Sequence, residues 1–426
     1  MPPIQDHPLR YALANELHAR PFPSMAAPCT AVFLAVKQPT DAANRDRSQD
    51  LAHLMALLDR HGAPHPQPGA THYFGEIGRH TLKWEQHTEF VTYTVIIDGV
   101  SKRPFDPTEF EVFPEDWLEQ APGQRVTSAM IRIDLRPDDI AISRHLSDWF
   151  VPESVAVASV VDDEAIVAGD FRIDPAGHQR FAVFVAPDVS DRRVGRVVQR
   201  LCEIEIYKSM SMFGFSRART LSPLLGELDS NLTNLMGDMS QQTSPAEQTL
   251  SELLAISAEL ETLAAQSSFR FGATGAYETI VNQRIEVLRE ARFMGRQTLG
   301  EFMLRRFAPA MRTVSSAERQ LEAMADRSIR AGNLLRTRVD VDRSAQNQLV
   351  LESMDNRADM QLRLQRTVEG LSVVAISYYA VSLAAYLLYP LAGAMGLGKN
   401  ELTAYATLPV IAVVWYLIRR IRARME

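Results

Sequence analysis

Hydrophobic spacing along the chain changes character twice. As far as about residue 187, short β-branched runs alternate with helical stretches. The runs predict strands over Thr30–Val36, Tyr73–Ile77, Phe90–Ile97, Thr127–Leu135, Val155–Val161, Ala165–Ile173 and Phe181–Val185. Between them, Ser48–Arg60 places Leu51, Leu54, Met55 and Leu58 on one helical face with Ser48 as N-cap. Pro137–Phe150 predicts a shorter helix opened by proline. The order of strand, helix and further strands occurs twice, over Thr30–Ile97 and Thr127–Val185. His87-Thr88-Glu89-Phe90 and His178-Gln179-Arg180-Phe181 stand in like places. An internal duplication and two unrelated halves both fit.

From Asp188 onward no strand is expected. Helices are predicted over Val194–Phe213 and Leu221–Met236, then from Pro245 with Leu250, Leu253, Leu254, Leu260 and Leu263 on its apolar side. Gly272 to Gly275 breaks the pattern, Tyr277–Arg306 resumes it, and Pro309 marks a joint. No proline follows until Pro390, so one helix is expected to run as a stalk of about 85 Å into the last regime. Val314, Ala317, Leu321 and Met324 keep coiled-coil spacing, but the same phase then reaches Arg338, Asp342, Ala345, Leu349 and Asn356. Three arrangements fit: shorter helices packed on the stalk, several copies around a wet axis, or a solvated face held by local ion pairs.

The last regime is almost uncharged. Leu371 to Leu397 has no charged side chain and reaches about 40 Å as a helix, more than the ~30 Å hydrocarbon core of a bilayer. After Gly398-Lys399-Asn400-Glu401, a shorter apolar run from Leu402 to Ile418 ends in Arg419, Arg420, Arg422 and Arg424. A two-helix transmembrane hairpin follows, with the arginine tail and Arg363 and Arg366 on the cytoplasmic side.

Composition narrows the field. A net charge of -7 and pI near 5.9 argue against a general nucleic-acid binder. Two distant cysteines, Cys29 and Cys202, fit a reduced compartment rather than a disulfide framework. The first residues have no basic or apolar leader pattern, so no signal peptide is expected.

Chemistry-bearing motifs are few. Gly393-Ala394-Met395-Gly396-Leu397-Gly398-Lys399-Asn400 comes near a phosphate-cradling loop but has asparagine where a hydroxyl should hold magnesium. Histidines crowd the first ninety residues, with His61, His65 and His72 in a Pro/Gly-rich loop and His7, Glu16 and His18 near the start. Metal binding and structural roles are both open, leaving a divalent cation as a candidate partner and the cofactor unknown. No nucleophile elbow or dinucleotide fingerprint occurs, so no catalytic residue is assigned. Along the first span Ser372, Ala375, Tyr379, Ser382, Tyr386, Tyr389 and Gly393 share one helix face. That face suits helix packing or a hydroxyl-lined pore.

Two segments carry a resemblance that covers essentially the whole chain. They are His7-Pro8-Leu9-Arg10 with Asn15-Glu16-Leu17-His18-Ala19-Arg20-Pro21-Phe22-Pro23, and Thr367-Val368-Glu369-Gly370-Leu371-Ser372-Val373-Val374-Ala375-Ile376-Ser377-Tyr378-Tyr379. Both resemble the bacterial domain-of-unknown-function family 3422, which implies a place in the membrane and no activity. The order of parts is also similar to CorA-type magnesium channels, although the Gly-Met-Asn motif that closes their first span is absent.

The expected architecture is α+β: an α/β domain over 1–187, a helical domain and stalk over 188–366, and a transmembrane hairpin with basic tail over 367–426. The expected protein is a non-enzymatic, oligomeric scaffold or sensor in the bacterial inner membrane, multi-pass, with both termini cytoplasmic. Its expected partners are the lipid bilayer and further copies of itself. The alternative is a CorA-like channel.

Overall fold

The computed structural model describes residues 4–16, 22–241, 244–395 and 398–425. It is a mixed α+β chain, dividing into two compact units, 1–243 with 251–331, and 244–250 with 332–426.

The first unit is built on one nine-stranded sheet. A short helix α1 (Arg10–Glu16) precedes β1 (Cys29–Lys37), α2 (Arg47–Arg60), β2 (His72–Ile77), β3 (His80–Gln86) and β4 (Phe90–Asp98). Next come α3 (Glu115–Glu119), β5 (Gln124–Leu135), α4 (Asp139–Trp149), β6 (Ala156–Val160), β7 (Ala165–Gly169) and β8 (Gln179–Val185). Two long helices follow, α5 (Asp191–Gln241) and α6 (Ala246–Glu286), then β9 (Ala291–Arg292), α7 (Leu299–Arg306) and α8 (Ala308–Met395).

Strand order is β2-β3-β4-β1-β5-β8-β7-β6-β9. Each half therefore places its first strand beside its fourth at the centre. The halves differ in polarity, since β1 and β4 are antiparallel whereas β5 and β8 are parallel. His87 and His178 each precede or open the fourth strand of their half, as their like places in the sequence suggested.

Alternation along the strands assigns the layers. On β1, Ala31, Phe33 and Ala35 join the core beneath α5, while Val32, Leu34 and Val36 pack with Leu54, Leu57 and Leu58 of α2 and Trp117 of α3. In the second half Ile142 and Leu146 of α4 cover Met130, Val157, Ile166 and Phe184. Strands buried on both faces read as continuous apolar runs, and β1 is buried at every position.

Several boundaries differ from expectation. Asp46, not Ser48, caps α2, its carboxylate accepting from the Ser48 amide. The two helices expected between 194 and 236 are one, because Pro223 falls within α5 without ending it. Gly272 and Gly275 likewise lie inside α6, where an added methyl would meet nothing within 4 Å. The helix expected over Tyr277–Arg306 instead stops at Glu286. The segment after it closes the open side of β6: Ala291 and Arg292 pair with Ser159 and Ala158, and Val157 and Val161 donate to the Gln297 and Leu288 carbonyls, each at 2.8 Å. Strand β3 escaped the sequence reading because it carries one β-branched residue, Thr81, and no continuous apolar run.

On α8 the early seam is covered within the chain, Val314, Ala317, Leu321 and Met324 joining the core that contains Leu225, Leu228 and Leu260. Shorter helices packed on the stalk are thus the arrangement found there. Arg327 pairs with Asp229 at 2.7 Å.

In the second unit Ala246, Thr249, Leu335 and Val339 are buried, and Arg343 meets Glu247 at 2.8 Å. Every side chain from 340 to 368 is exposed. Helix α8 continues as one element to Met395, and α9 (Lys399–Met425) follows. Both carry stretches long and apolar enough to cross a membrane, and only 6% of each stretch is buried. Shielded positions recur at Val373, Ser377, Ala380 and Ala384 on α8 and at Thr403, Thr407, Val410 and Val414 on α9. Ser377 and Val414, each 7% exposed, are the buried positions of these two stretches among the described residues.

Candidate functional site

The sheet face beneath α5 is apolar at its centre and turns polar toward β3 and β4. Leu82 and Trp84 of β3 and Val91, Tyr93 and Val95 of β4 point to the α2 layer. Strand alternation therefore sends Lys83, Glu85, Thr92 and Thr94 to the opposite face. Such a face would ordinarily meet water, but α5 lies over it, leaving Lys83 and Thr92 each 4% exposed. A cavity of about 240 Å³ remains between the two layers. Phe33 lines its sheet side, Val198, Cys202 and Ile206 line its helix side, and Phe22, Pro23 and Met25 form one wall.

A polar chain crosses this cavity. The Lys83 ammonium donates to the Gln199 side-chain carbonyl at 2.6 Å and pairs with Glu85 at 3.1 Å. The Gln199 amide donates to Glu203 at 2.8 Å, and Arg284 of α6 closes the chain on the other Glu203 oxygen. Each cation thus has a carboxylate partner. Burial pushes the Cys202 thiol well above its ordinary range, although Lys83 opposes the shift. Cys202 is therefore a protonated thiol at neutral pH and is not poised as a nucleophile.

The N-terminal wall depends on one close approach. Pro23 crosses α5 at Gly195, where an added methyl would lie 1.8 Å from the Pro23 carbonyl oxygen. Beside it the Met25 amide donates to the Asp191 carbonyl at 3.0 Å.

Further buried polar groups fix the surrounding frame. Arg45 donates to Asp50 and to the carbonyls of Ala42, His87, Thr88 and Phe90, so it holds the β3–β4 turn. From that turn Glu89 accepts from Arg270 and Tyr277 of α6. Glu205, on α5, accepts from Thr127, Lys208 and Ser209.

His53 sits between Tyr93 and Trp117. Its Nε2 is 2.9 Å from the Trp117 carbonyl, which can only accept, so Nε2 carries the proton and Nδ1 accepts from the Tyr93 hydroxyl at 2.9 Å. Burial lowers the basicity of both His53 and His178. Unfolded, each titrates near 6.5 and binds protons that the folded form rejects. Their contribution to stability is therefore complete above pH 6.5 and is lost as pH falls toward the depressed folded values. The thermal midpoint should fall between pH 7.5 and 5.5, and His178→Asn should flatten that fall; an equal fall in the variant would show that His178 is not responsible.

The family described as protein of unknown function (DUF3422) matches residues 5–425. The chain belongs to that family. A comparison with curated proteins finds no match. The family match supports the first of the two resemblances and leaves the CorA-type one without support. Of the family-like segment near the start, Phe22 and Pro23 stand in the cavity wall.

The expected candidates lie elsewhere. Ser372, Tyr379, Ser382, Tyr386 and Tyr389 are all on α8, exposed except for the half-buried Ser382. Tyr379 and Tyr386 are each 72% exposed. Ser372 and Ser382 donate back to the Val368 and Tyr378 carbonyls of their own helix. Arg419 and Arg420 are exposed, with Arg419 over the Trp415 ring, while the Arg422 and Arg424 side chains lie outside the described residues. His18 and the middle of the glycine-rich segment also lie outside them. Among the described residues no three His, Cys, Asp or Glu side chains gather into a group able to hold a metal. His65 pairs with Asp59 at 2.6 Å.

Lys83, Glu85, Thr92, Thr94, Gln199, Glu203 and Arg284 were not singled out from the sequence. The available signal was Gln199 and Glu203 interrupting the apolar face of Val198, Cys202 and Ile206.

Proposed function

We propose that this is a non-enzymatic inner-membrane protein that holds its α/β half in the cytoplasm as an oligomeric sensor or scaffold, with both chain ends on the cytoplasmic side. One observation carries the reading. A heptad stripe runs without a phase shift through Leu351, Met354, Ala358, Gln361, Gln365, Val368, Ser372, Ala375, Tyr379, Ser382, Tyr386 and Tyr389. Glu352, Asp355, Arg357, Asp359, Arg363, Arg366 and Glu369 all fall off the stripe.

An exposed helix has no reason to sort its charges so sharply unless another helix covers the stripe. The partner must change from water-compatible to lipid-compatible at the same height, since the stripe has Gln361 and Gln365 below the span and tyrosines within it. A second copy of α8, parallel and in register, meets that condition. Copies held in one membrane already share orientation and depth. Small residues and hydroxyls inside the span favour close helix contact in lipid. Arg419 and Arg420 support the cytoplasmic placement of the tail.

Cross-linking in native membranes tests this. Met354→Cys on the stripe should give covalent oligomers, while Met360→Cys, one residue before Gln361 and turned about 100° away from the stripe, should not. Monomers alone, or equal linking at both positions, would defeat the oligomer. Alkaline carbonate tests the anchor separately, because release of the chain from the membrane pellet would overturn it.

An ion channel is the second reading, resting on Tyr379, Ser382 and Tyr386, which line a common groove. Ion flux in liposomes that vanishes when these become Phe, Ala and Phe would support it. Flux that survives would remove the stripe from that role.

A further inference from the structure

Polar side chains sealed between two layers ordinarily satisfy one another. Around the cavity under α5 most do, through the chain from Glu85 to Arg284. Thr92 and Thr94 do not. They are only 4% and 9% exposed, they point from the same face of β4 into the cavity, and their hydroxyls have no hydrogen-bond partner among the described residues. Lys83 uses two of its three donors, on Gln199 and Glu85.

We infer that this cavity is a binding site for a small uncharged molecule that carries hydroxyl or carbonyl groups on a compact apolar body. Three observations set that class. The hydroxyls of Thr92 and Thr94 both donate and accept, which suits an alcohol, ketone or amide. The two nearby cations are already matched by Glu85 and Glu203, so a net charge on the ligand would be buried without a partner or would have to break an existing pair. Phe33, Met25 and Ile206 supply apolar walls, and about 240 Å³ lies below the range of drug-sized pockets, which limits the guest to roughly ten non-hydrogen atoms. This assignment is independent of the membrane reading, because every residue in it belongs to the first unit.

Cys202 reports occupancy, since it lines the same cavity. Full-length protein is treated at pH 8.5 with methyl methanethiosulfonate, a small uncharged thiol reagent, and modification of Cys202 is followed by peptide mass spectrometry. Three ring compounds of similar size serve as competitors: cyclohexane-1,2-diol, 2-hydroxycyclohexanecarboxylate and 2-aminocyclohexanol. The diol at 10 mM should slow modification at least fivefold, and the anion and cation less than twofold. In the Thr92→Val/Thr94→Val variant, which keeps the shape of both side chains, the diol should no longer protect while modification without competitor continues. Thermal unfolding of this variant checks that it is folded; if it is not, Thr94→Val alone replaces it. No protection by the diol, equal protection by the charged compounds, or protection that survives the valines would each overturn the assignment; where the protonated Cys202 thiol stays unreacted, the diol is instead required to raise the thermal midpoint of the parent and not of the valine variant, and no such rise overturns it.

Discussion

Replacing Arg45 with methionine should destabilise the first unit more than any other single change considered. Arg45 and Asp50 are 1% and 3% exposed at their side chains and 2.8 Å apart. Removing the guanidinium leaves the Asp50 carboxylate buried, with Gln86 at 3.0 Å as its one side-chain donor among the described residues. It also strips donors from the carbonyls of His87 and Thr88 in the β3–β4 turn. Breaking a buried pair from one side costs about 3–5 kcal/mol. The full chain in mild detergent should therefore unfold roughly 4–7 °C lower, taking about 1.5 °C per kcal/mol for a unit of more than 300 residues. Asp50→Asn in the same chain should restore part of the loss, because it removes the stranded charge. A midpoint within two or three degrees of the parent would mean that Arg45 is not the clamp of this turn.

The second large effect is local. Gly195→Ala should free the segment that carries Phe22 and Pro23 and open the cavity. Alanine is intrinsically better than glycine inside a helix by about 1 kcal/mol, so α5 itself gains from the change. The Pro23 carbonyl loses its place, because the new methyl would stand 1.8 Å from its oxygen. Cys202 should then react more than tenfold faster with methyl methanethiosulfonate, while the thermal midpoint falls by only a few degrees. Unchanged reactivity would show that this segment does not gate the cavity.

Much of the framework was legible because its signals are local. The uncharged run after Leu371 and the β-branched runs of β1, β4 and β5 depend only on neighbours in sequence. What could not be read depends on what lies over a residue. Lys83, Thr92 and Thr94 alternate with apolar positions as solvent-facing residues do, and only the placement of α5 above them changes their meaning. Pro223, Gly272 and Gly275 misled for a related reason. Long helices packed against a sheet or against one another tolerate residues that would break an isolated helix, since most helical stability in a folded chain comes from packing. The tyrosine and serine stripe of α8 was found from spacing, but its charge-free continuation down to Leu351 gains its meaning only from the exposure of every side chain between 340 and 368.

The cover on β6 also sets an order in time. Its pairing segment, from Leu288 to Gln297, is made roughly 130 residues after β6 itself, on the order of ten seconds later at ordinary rates of synthesis. Until then a nascent chain presents an open strand edge to any other chain emerging nearby. Ribosome-bound intermediates that stop inside α6 are thus the stage at which this protein is most exposed to misassembly, and chaperone capture should concentrate there.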